Sequence, residues 1–528
     1  MKSNTAFITV DKITVRLGTR LILTNSSWQM NSDQHWAILG PNGSGKSTLV
    51  RALWGGAPLR SGHIHLHFSE PQTDIPSAPI KNEIGYVSFE THQRLMEHEA
   101  LQADLRGYAG RGDEVTTSRD VILSGIPSDR DVPGVVEERL SQVADLLGIT
   151  PLLQREIPFL STGEIRKTLI ARALIKSPKL LILDEPFDGL DDRSRASLAE
   201  SIDHLMMGSM RVILVAHRIE EVVRHITHVL FVKKGQIFMQ GPKDQMLTSE
   251  NISGLYDDRL HVEKRDGGYH LSYGMEEKEK ADSFSASGDT PPDSPDILIE
   301  MKDTTVRYGE LVVLHHLNWI MRRGENWAIL GPNGSGKSTI LKLILGDNLQ
   351  GYSNEITLFG KQKGSGETLW EIRHHIGVVS SELQIQYRKK MSAYDVVASG
   401  FYNSIGLYQY PTPEEKRAVD RWVEILGIGD MVREPYHHLS YGQKRMVLLA
   451  RAMVKSPLLL ILDEPCHGLD ISNRRRILKT VERIGRTQTN LVYVTNHREE
   501  IPDCITHALR LQKGRVLVQG RRQDVFSR

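Results

Sequence analysis

The run Gly40-Pro41-Asn42-Gly43-Ser44-Gly45-Lys46-Ser47 follows the apolar stretch Trp36–Leu39 and reads G-x-x-x-x-G-K-S. A buried strand that feeds such a turn and then a helix aims successive backbone N–H groups at one point, and the helix start adds the positive end of its dipole. Lys46 supplies a mobile charge for phosphate oxygens, and Ser47 supplies a hydroxyl that can ligate magnesium. The whole string Trp36–Thr48 returns unchanged as Trp327–Thr339, so Gly331, Pro332, Asn333, Gly334, Ser335, Gly336, Lys337, Ser338 and Thr339 repeat the device. One match could be an ordinary glycine-rich turn. Two identical matches in matching contexts point to phosphate binding twice over.

Each half then carries two carboxylates at the end of an apolar run, Asp184-Glu185 and Asp463-Glu464. Beside a P-loop these fit nucleotide hydrolysis. Asp184 and Asp463 hold magnesium, directly or through water, and Glu185 and Glu464 polarise the attacking water. Ser161-x-Gly163 and Ser440-x-Gly442 open helical patterns, and each serine lies 23 residues before its aspartate. Alone, such a serine is an ordinary helix N-cap; the repeated order makes it part of a device. His217 and His497 follow strand-like runs, 32 and 33 residues beyond the glutamates. A lone histidine at a strand end is usually structural, but at matched places behind a nucleotide site these two are expected to contact the γ-phosphate. Tyr308 lies 23 residues before Gly331, where the first half has Leu17. It fits an adenine-stacking aromatic or an ordinary strand residue equally.

The elements that must position these groups also repeat. Residues 5–39 alternate apolar and polar letters, as antiparallel strands with one wet face do. Helical patterns follow both P-loops, and apolar strands end at Ile84-Gly85-Tyr86-Val87 and Ile376-Gly377-Val378-Val379. Polar and helical stretches of unequal length, residues 91–155 and 383–435, precede the serine signatures. A chain of 528 residues suits two domains or more. The boundaries expected are 1–258 and 297–528 for two ATPase domains, with 259–296 as a flexible linker rich in charge, Ser, Gly and Pro.

A formal charge of +1 gives no support for nucleic acid as a partner. The two cysteines, Cys466 and Cys504, exclude a disulfide scaffold. No apolar run is long enough to span a membrane, and no secretory signal is evident. An intracellular, cytoplasmic location is expected, with the mitochondrial matrix as the alternative because Lys2, Lys12, Arg16 and Arg20 outnumber Asp11 near the start. The histidine pairs His315-His316, His374-His375 and His437-His438 lack metal-site spacing.

The order of P-loop, Leu-Ser-x-Gly signature, Asp-Glu strand end, Leu-Asp turn and histidine resembles the ABC ATPase superfamily, twice. That resemblance implies an α/β fold with two tandem ABC-type P-loop ATPase domains, each with a mixed-sheet core, an antiparallel β subdomain and a helical signature subdomain. It implies ATP and magnesium as cofactors and an intramolecular pairing of the domains. Each ATP would lie between one half's P-loop and the other half's signature: Lys46, Ser47, Asp184, Glu185 and His217 with Ser440 and Gly442, and Lys337, Ser338, Asp463, Glu464 and His497 with Ser161 and Gly163. The family's glutamine after the Ile-Gly-x-Val strand is Phe89 in one half and Ser381 in the other, followed by Glu90 and Glu382. Thr162 and Tyr441 stand where the signature commonly has glycine. Residues 351–370 and the Leu-Ser-Thr-Gly-Glu signature resemble the ModF type, tandem ATP-binding proteins associated by name with bacterial molybdate transport, with relatives called photorepair proteins and with fungal versions.

Three functions are weighed. The first is a twin ATPase that energises a separate integral-membrane permease. The second is a mechanical or regulatory ATPase acting on a ribosome or transcription complex; the Ser/Gly/Pro-rich linker and near-neutral charge speak against it. The third is a nucleotide-gated scaffold without turnover, and intact Glu185 and Glu464 speak against that.

Overall fold

The structure is a computed structural model that describes residues 5–18, 20–68, 83–96, 98–99, 115–126, 133–265, 268–273, 295–309, 311–387 and 391–527. The chain divides into two compact units, Met1–Met275 with Asp470–Ser472, and Glu276–Leu469 with Asn473–Arg528.

In the first unit, β3 (Trp36–Leu39) lies inside a six-stranded sheet. Its companions are β5 (Ile84–Ser88), β6 (Leu180–Asp184), β7 (Arg211–Val215), β8 (His228–Lys233) and β9 (Gln236–Pro242), in the order β5-β6-β7-β3-β8-β9. All neighbours pair in parallel except β8 with β9. A parallel strand covered on both faces needs apolar residues at successive positions, which is why Trp36-Ala37-Ile38-Leu39 can be continuous. Ala37 and Leu39 join one core cluster while Trp36 and Ile38 join another. Beside this sheet stands a three-stranded antiparallel one, β1 (Ala6–Leu17), β2 (Arg20–Asn31) and β4 (Leu59–Leu66), in the order β2-β1-β4. In β1, Ile8, Val10, Ile13 and Val15 are buried, the alternating pattern of a sheet with one wet face.

The second unit repeats the plan. Strands β17 (Ile376–Val379), β18 (Leu459–Asp463), β19 (Asn490–Thr495), β14 (Trp327–Leu330), β20 (His507–Gln512) and β21 (Arg515–Arg521) form the six-stranded sheet in that spatial order. An antiparallel sheet, ordered β13-β12-β15-β16, is built from β12 (Ile297–Tyr308), β13 (Leu311–Arg322), β15 (Glu355–Leu358) and β16 (Lys361–Gln362). In both units the P-loop and the Asp-Glu pair leave the parallel sheet at the C-terminal ends of two strands that have one strand between them, the edge where open α/β sheets bind ligands.

One segment departs from expectation. Residues 259–296 read as a flexible linker, but β10 (Leu260–Arg265) and β11 (Gly268–Tyr273) pair as a hairpin within them. The reason lies in its apolar letters: Leu260 and Tyr269 are buried in the core of the first unit, with Val262 and Leu271 packed against it. Leu271 N–H also donates to Glu220 Oε1 at 3.1 Å. Residues 274–294 of the expected linker lie outside the described residues.

Candidate active sites

The P-loops begin where the polypeptides crowd. A Cβ on Gly40 would lie 2.0 Å from Val232 O, and one on Gly331 would lie 2.5 Å from Leu511 O, so only glycine fits. Gly45 and Gly336 cap helices α1 (Lys46–Leu53) and α4 (Lys337–Leu345) in the left-handed region, at φ 106° and 102°. Lys46 Nζ donates to Gly40 O and Pro41 O at 2.8 and 3.1 Å; Lys337 Nζ donates to Gly331 O and Pro332 O at 2.7 and 3.0 Å. Each lysine thus lies folded over the loop whose N–H groups would hold phosphate. Burial lowers the pKa of Lys46, against the opposing pull of Glu185 and Asp184.

In the first unit the carboxylates converge as their spacing implied. Asp184 Oδ1 accepts from Ser47 Oγ at 3.1 Å, and Asp184 Oδ2 accepts from Tyr86 OH at 2.9 Å. Burial, then the neighbouring Glu185, raises the pKa of Asp184 to about 6. A hydroxyl and a carboxylate held together, with negative charge that burial leaves costly, are the hard oxygen donors that suit Mg2+. Glu185 leaves the strand end in the left-handed region at φ 56°, and Glu464 does the same at φ 46°. Such a conformation costs a non-glycine residue about 1–3 kcal/mol and is found preferentially at functional sites. His217 Nε2 lies 2.9 Å from Glu185 Oε1 and 3.8 Å from Asp188 Oδ2. Burial opposes a charged imidazole, but Glu185 and Asp188 outweigh it and raise the His217 pKa to about 9. Glu185 is held ionised, its burial outweighed by His217, Lys46 and Arg166.

The second unit requires a correction. Glu185 N–H donates to Val215 O and Glu464 N–H donates to Val494 O, so these valines are equivalent. Both lie 30 residues beyond their glutamate. Two residues after the valine stands His217 in the first unit and Asn496 in the second; the expected His497 is one residue too late. Asn496 Nδ2 donates to Glu464 Oε1 at 2.7 Å and to Asn333 Oδ1 at 3.0 Å, taking the place beside the glutamate. His497 Nδ1 instead faces Glu499 Oε1 at 3.8 Å. Matching the valines rather than the histidines would have revealed the shift in the sequence. Ser338, Asp463 and Glu464 share a cavity of about 320 Å³ with Lys337, Ser381 and Glu382. Burial, reinforced by Glu382, raises the Asp463 pKa.

The signature serines are helix caps. Ser161 Oγ accepts from Glu164 N–H at 3.3 Å at the start of α2 (Thr162–Leu174), and Glu164 Oε2 accepts from Ser161 N–H at 2.7 Å. Ser440 and Gln443 make the same reciprocal pair at α5 (Tyr441–Met453), at 3.3 and 2.8 Å. Gly163 and Gly442 face α3 (Asp192–Met206) and α6 (Ile471–Ile484), where an added Cβ would lie 2.9 Å from Ser194 Cβ and 2.4 Å from Asn473 Cγ. Tyr308 is half exposed at the end of β12; its OH accepts from Asn348 Nδ2 at 3.0 Å, and it stands apart from the residues lining the second cavity.

Sequence reasoning also passed over Arg166 and Arg445, five residues after each signature serine and both fully buried. They meet the residues that replace the family's glutamine: the Arg166 guanidinium lies 5.5 Å from the Phe89 ring centroid, and Arg445 Nη2 donates to Ser381 Oγ at 2.9 Å. Burial lowers the Arg166 pKa to about 10, against Asp188 and Glu185. Of the two glutamates considered as replacements, Glu90 is ion-paired to Arg51 at 2.5 Å, whereas Glu382 lines the second cavity.

Two P-loops, each backed by an Asp-Glu pair on a nearby strand end, define a tandem P-loop nucleotide hydrolase. The ABC transporter family matches residues 23–188 and 314–467, and the chain belongs to that family as a tandem ABC ATP-binding protein and ATP hydrolase. It is 39% identical over 500 residues to the ABC transporter ATP-binding protein ModF of Escherichia coli (strain K12), covering 94% of this chain and 95% of that one. An uncharacterized ABC transporter ATP-binding protein of Schizosaccharomyces pombe is 26% identical over 94% of this chain and 96% of its own. Among solved structures, a chain in the crystal structure of the complex of archaeal ribosomal stalk protein aP1 and archaeal ribosome recycling factor aABCE1 aligns with a TM-score of 0.56 at 18% identity. The alignment covers 97% of this chain and 90% of that one, a likeness of fold. No helix among the described residues is long and apolar enough to cross a membrane.

Proposed function

We propose that both units hydrolyse ATP and that the resulting cycle energises a separate integral-membrane permease on its cytoplasmic side. The observation that carries the first part is the repeated left-handed turn that holds Glu185 and Glu464 beside their P-loops. In this reading the N–H groups of Gly43–Lys46 and Gly334–Lys337 hold the phosphates, and Lys46 and Lys337 turn from their own loop carbonyls to the phosphate oxygens. Ser47 with Asp184, and Ser338 with Asp463, would hold Mg2+, which offsets phosphate charge when bound. Glu185 and Glu464 orient the attacking water, whose oxygen bonds to the γ-phosphorus as the bond to the bridging oxygen breaks, giving ADP and phosphate. His217 begins as an imidazolium on Glu185 and is available to the γ-phosphate.

Support for a permease partner comes from the ModF relative, named as a transporter ATP-binding protein, and from the lack of a membrane-crossing helix among the described residues. Cys466 and Cys504, neither of them in a disulfide, suit the reducing cytoplasm. The test is affinity capture of the Glu185→Gln, Glu464→Gln chain from its native cells in the presence of ATP. An integral-membrane permease as the stoichiometric partner is the expected result. Ribosomal or transcription proteins in its place would refute it.

A further inference from the structure

The turns after the two catalytic strands are built alike. Asp188 N–H donates to Glu185 O at 3.4 Å, and His467 N–H donates to Glu464 O at 3.1 Å, so Asp188 and His467 hold one position. His217 and Asn496 hold another, as the equivalence of Val215 and Val494 requires. The second unit has therefore exchanged both members of the Asp188–His217 pair together. An imidazole is not missing from it: His467 lines the same cavity as Asn333, Lys337, Ser338, Asp463 and Glu464, whereas His497 does not.

The double exchange is chemically coherent where either single change is not. In the first unit one imidazole sits between two carboxylates, 2.9 Å from Glu185 and 3.8 Å from Asp188. Histidine at the Asp188 position alone would set two imidazoles against each other, and like charges so close disfavour protonation of both. Asparagine at the His217 position alone would leave the two carboxylates without the imidazolium that now lies between them. With Asn496 donating to Glu464 at 2.7 Å, the glutamate keeps an orienting hydrogen bond from a neutral group. His467 lines the cavity from the turn position that Asp188 holds in the first unit.

We propose that His467 is the γ-phosphate-contacting imidazole of the second ATP site, in the role that His217 has in the first. This rests on the reading of Lys337, Ser338, Asp463 and Glu464 as an ATP site. The two sites would then run the same hydrolysis with the imidazole delivered from different segments, the turn after β18 in one and the loop after β7 in the other.

The experiment measures binding of ADP and of a non-hydrolysable ATP analogue by calorimetry, on the full chain carrying Lys46→Ala to silence the first site. Adding His467→Ala should weaken the triphosphate about tenfold, or ~1.4 kcal/mol, and leave ADP unchanged, since only a γ-phosphate contact separates the two ligands. His467→Gln, which keeps a donor, should recover part of the loss, and His497→Ala should alter neither ligand. The proposal is overturned if His467→Ala shifts both ligands equally or shifts neither, or if His497→Ala selectively weakens the triphosphate. A Lys46→Ala chain that binds no triphosphate, or one whose binding survives Lys337→Ala, would overturn the ATP-site reading itself and the proposal with it.

Discussion

Replacing His217 with alanine probes the charge arrangement of the first site most sharply. The imidazole is nearly enclosed, with 7% of its side chain exposed, and lies 2.9 Å from Glu185 Oε1. Its pKa rises from 6.5 to about 9, which at about 1.4 kcal/mol per pH unit corresponds to roughly 3 kcal/mol. Removal of one partner from a buried pair leaves a charge uncompensated and costs about 3–5 kcal/mol, which agrees with that figure. A group whose pKa is raised on folding contributes fully below its unfolded value and loses the contribution as pH climbs through the folded value. The destabilisation should therefore be about 3 kcal/mol at pH 6, decline between pH 6.5 and 9, and be small at pH 9.5. Equilibrium urea unfolding followed by circular dichroism, with wild type and His217→Ala compared at pH 6.0 and 9.5, measures this difference. Asn496→Ala is the control: its hydrogen bond to Glu464 involves no titrating cation, so its cost, about 1–3 kcal/mol, should not change over that window. A His217→Ala penalty equal at both pH values would refute the reasoning.

Other perturbations separate packing from chemistry. Arg166 Nε and Nη1 are buried without a hydrogen-bond partner, as are the same atoms of Arg445. Arg166→Met should nevertheless lower stability by about 3 kcal/mol, because it removes one member of a buried charge cluster and leaves Glu185 and Asp188 less compensated, and ATP turnover should fall; urea midpoints and a phosphate-release assay read the two effects. Gly163→Ala and Gly442→Ala should each destabilise by about 1–3 kcal/mol through overpacking, the second more because its Cβ would lie 2.4 Å from Asn473 against 2.9 Å from Ser194. Thermal unfolding checks the order. Deletion of residues 260–273 should destabilise the first unit, since Leu260 and Tyr269 belong to its core; a linker without packing would leave its melting unchanged.

Much of this architecture was legible because it repeats. The strings around Lys46 and Lys337, the capped signatures and the Asp-Glu strand ends announce themselves by type, order and spacing, and the parallel sheet brings the P-loop and the Asp-Glu pair to one edge in each unit. What escaped was carried by register. His497 looks like the partner of His217 because both are histidines after apolar strands, yet the ladder aligns Val494 with Val215 and hands the place to Asn496. Asp188 and His467 escaped because a carboxylate and an imidazole in matching turns look like unrelated letters until backbone bonds make them equivalent. The hairpin at 260–273 escaped because a short polar-rich run hides the few apolar residues that dock it. Arg166 and Arg445 escaped because arginine is rarely buried, although their shared offset from the signature serine was in view.

The central claim is that Glu185 and Glu464 each drive turnover at their own P-loop. Steady-state phosphate release from purified wild type, Glu185→Gln, Glu464→Gln and the double variant tests it directly. Each single variant should retain measurable turnover, and the double variant should lose it while still binding ATP. Turnover in the double variant equal to wild type would contradict the account.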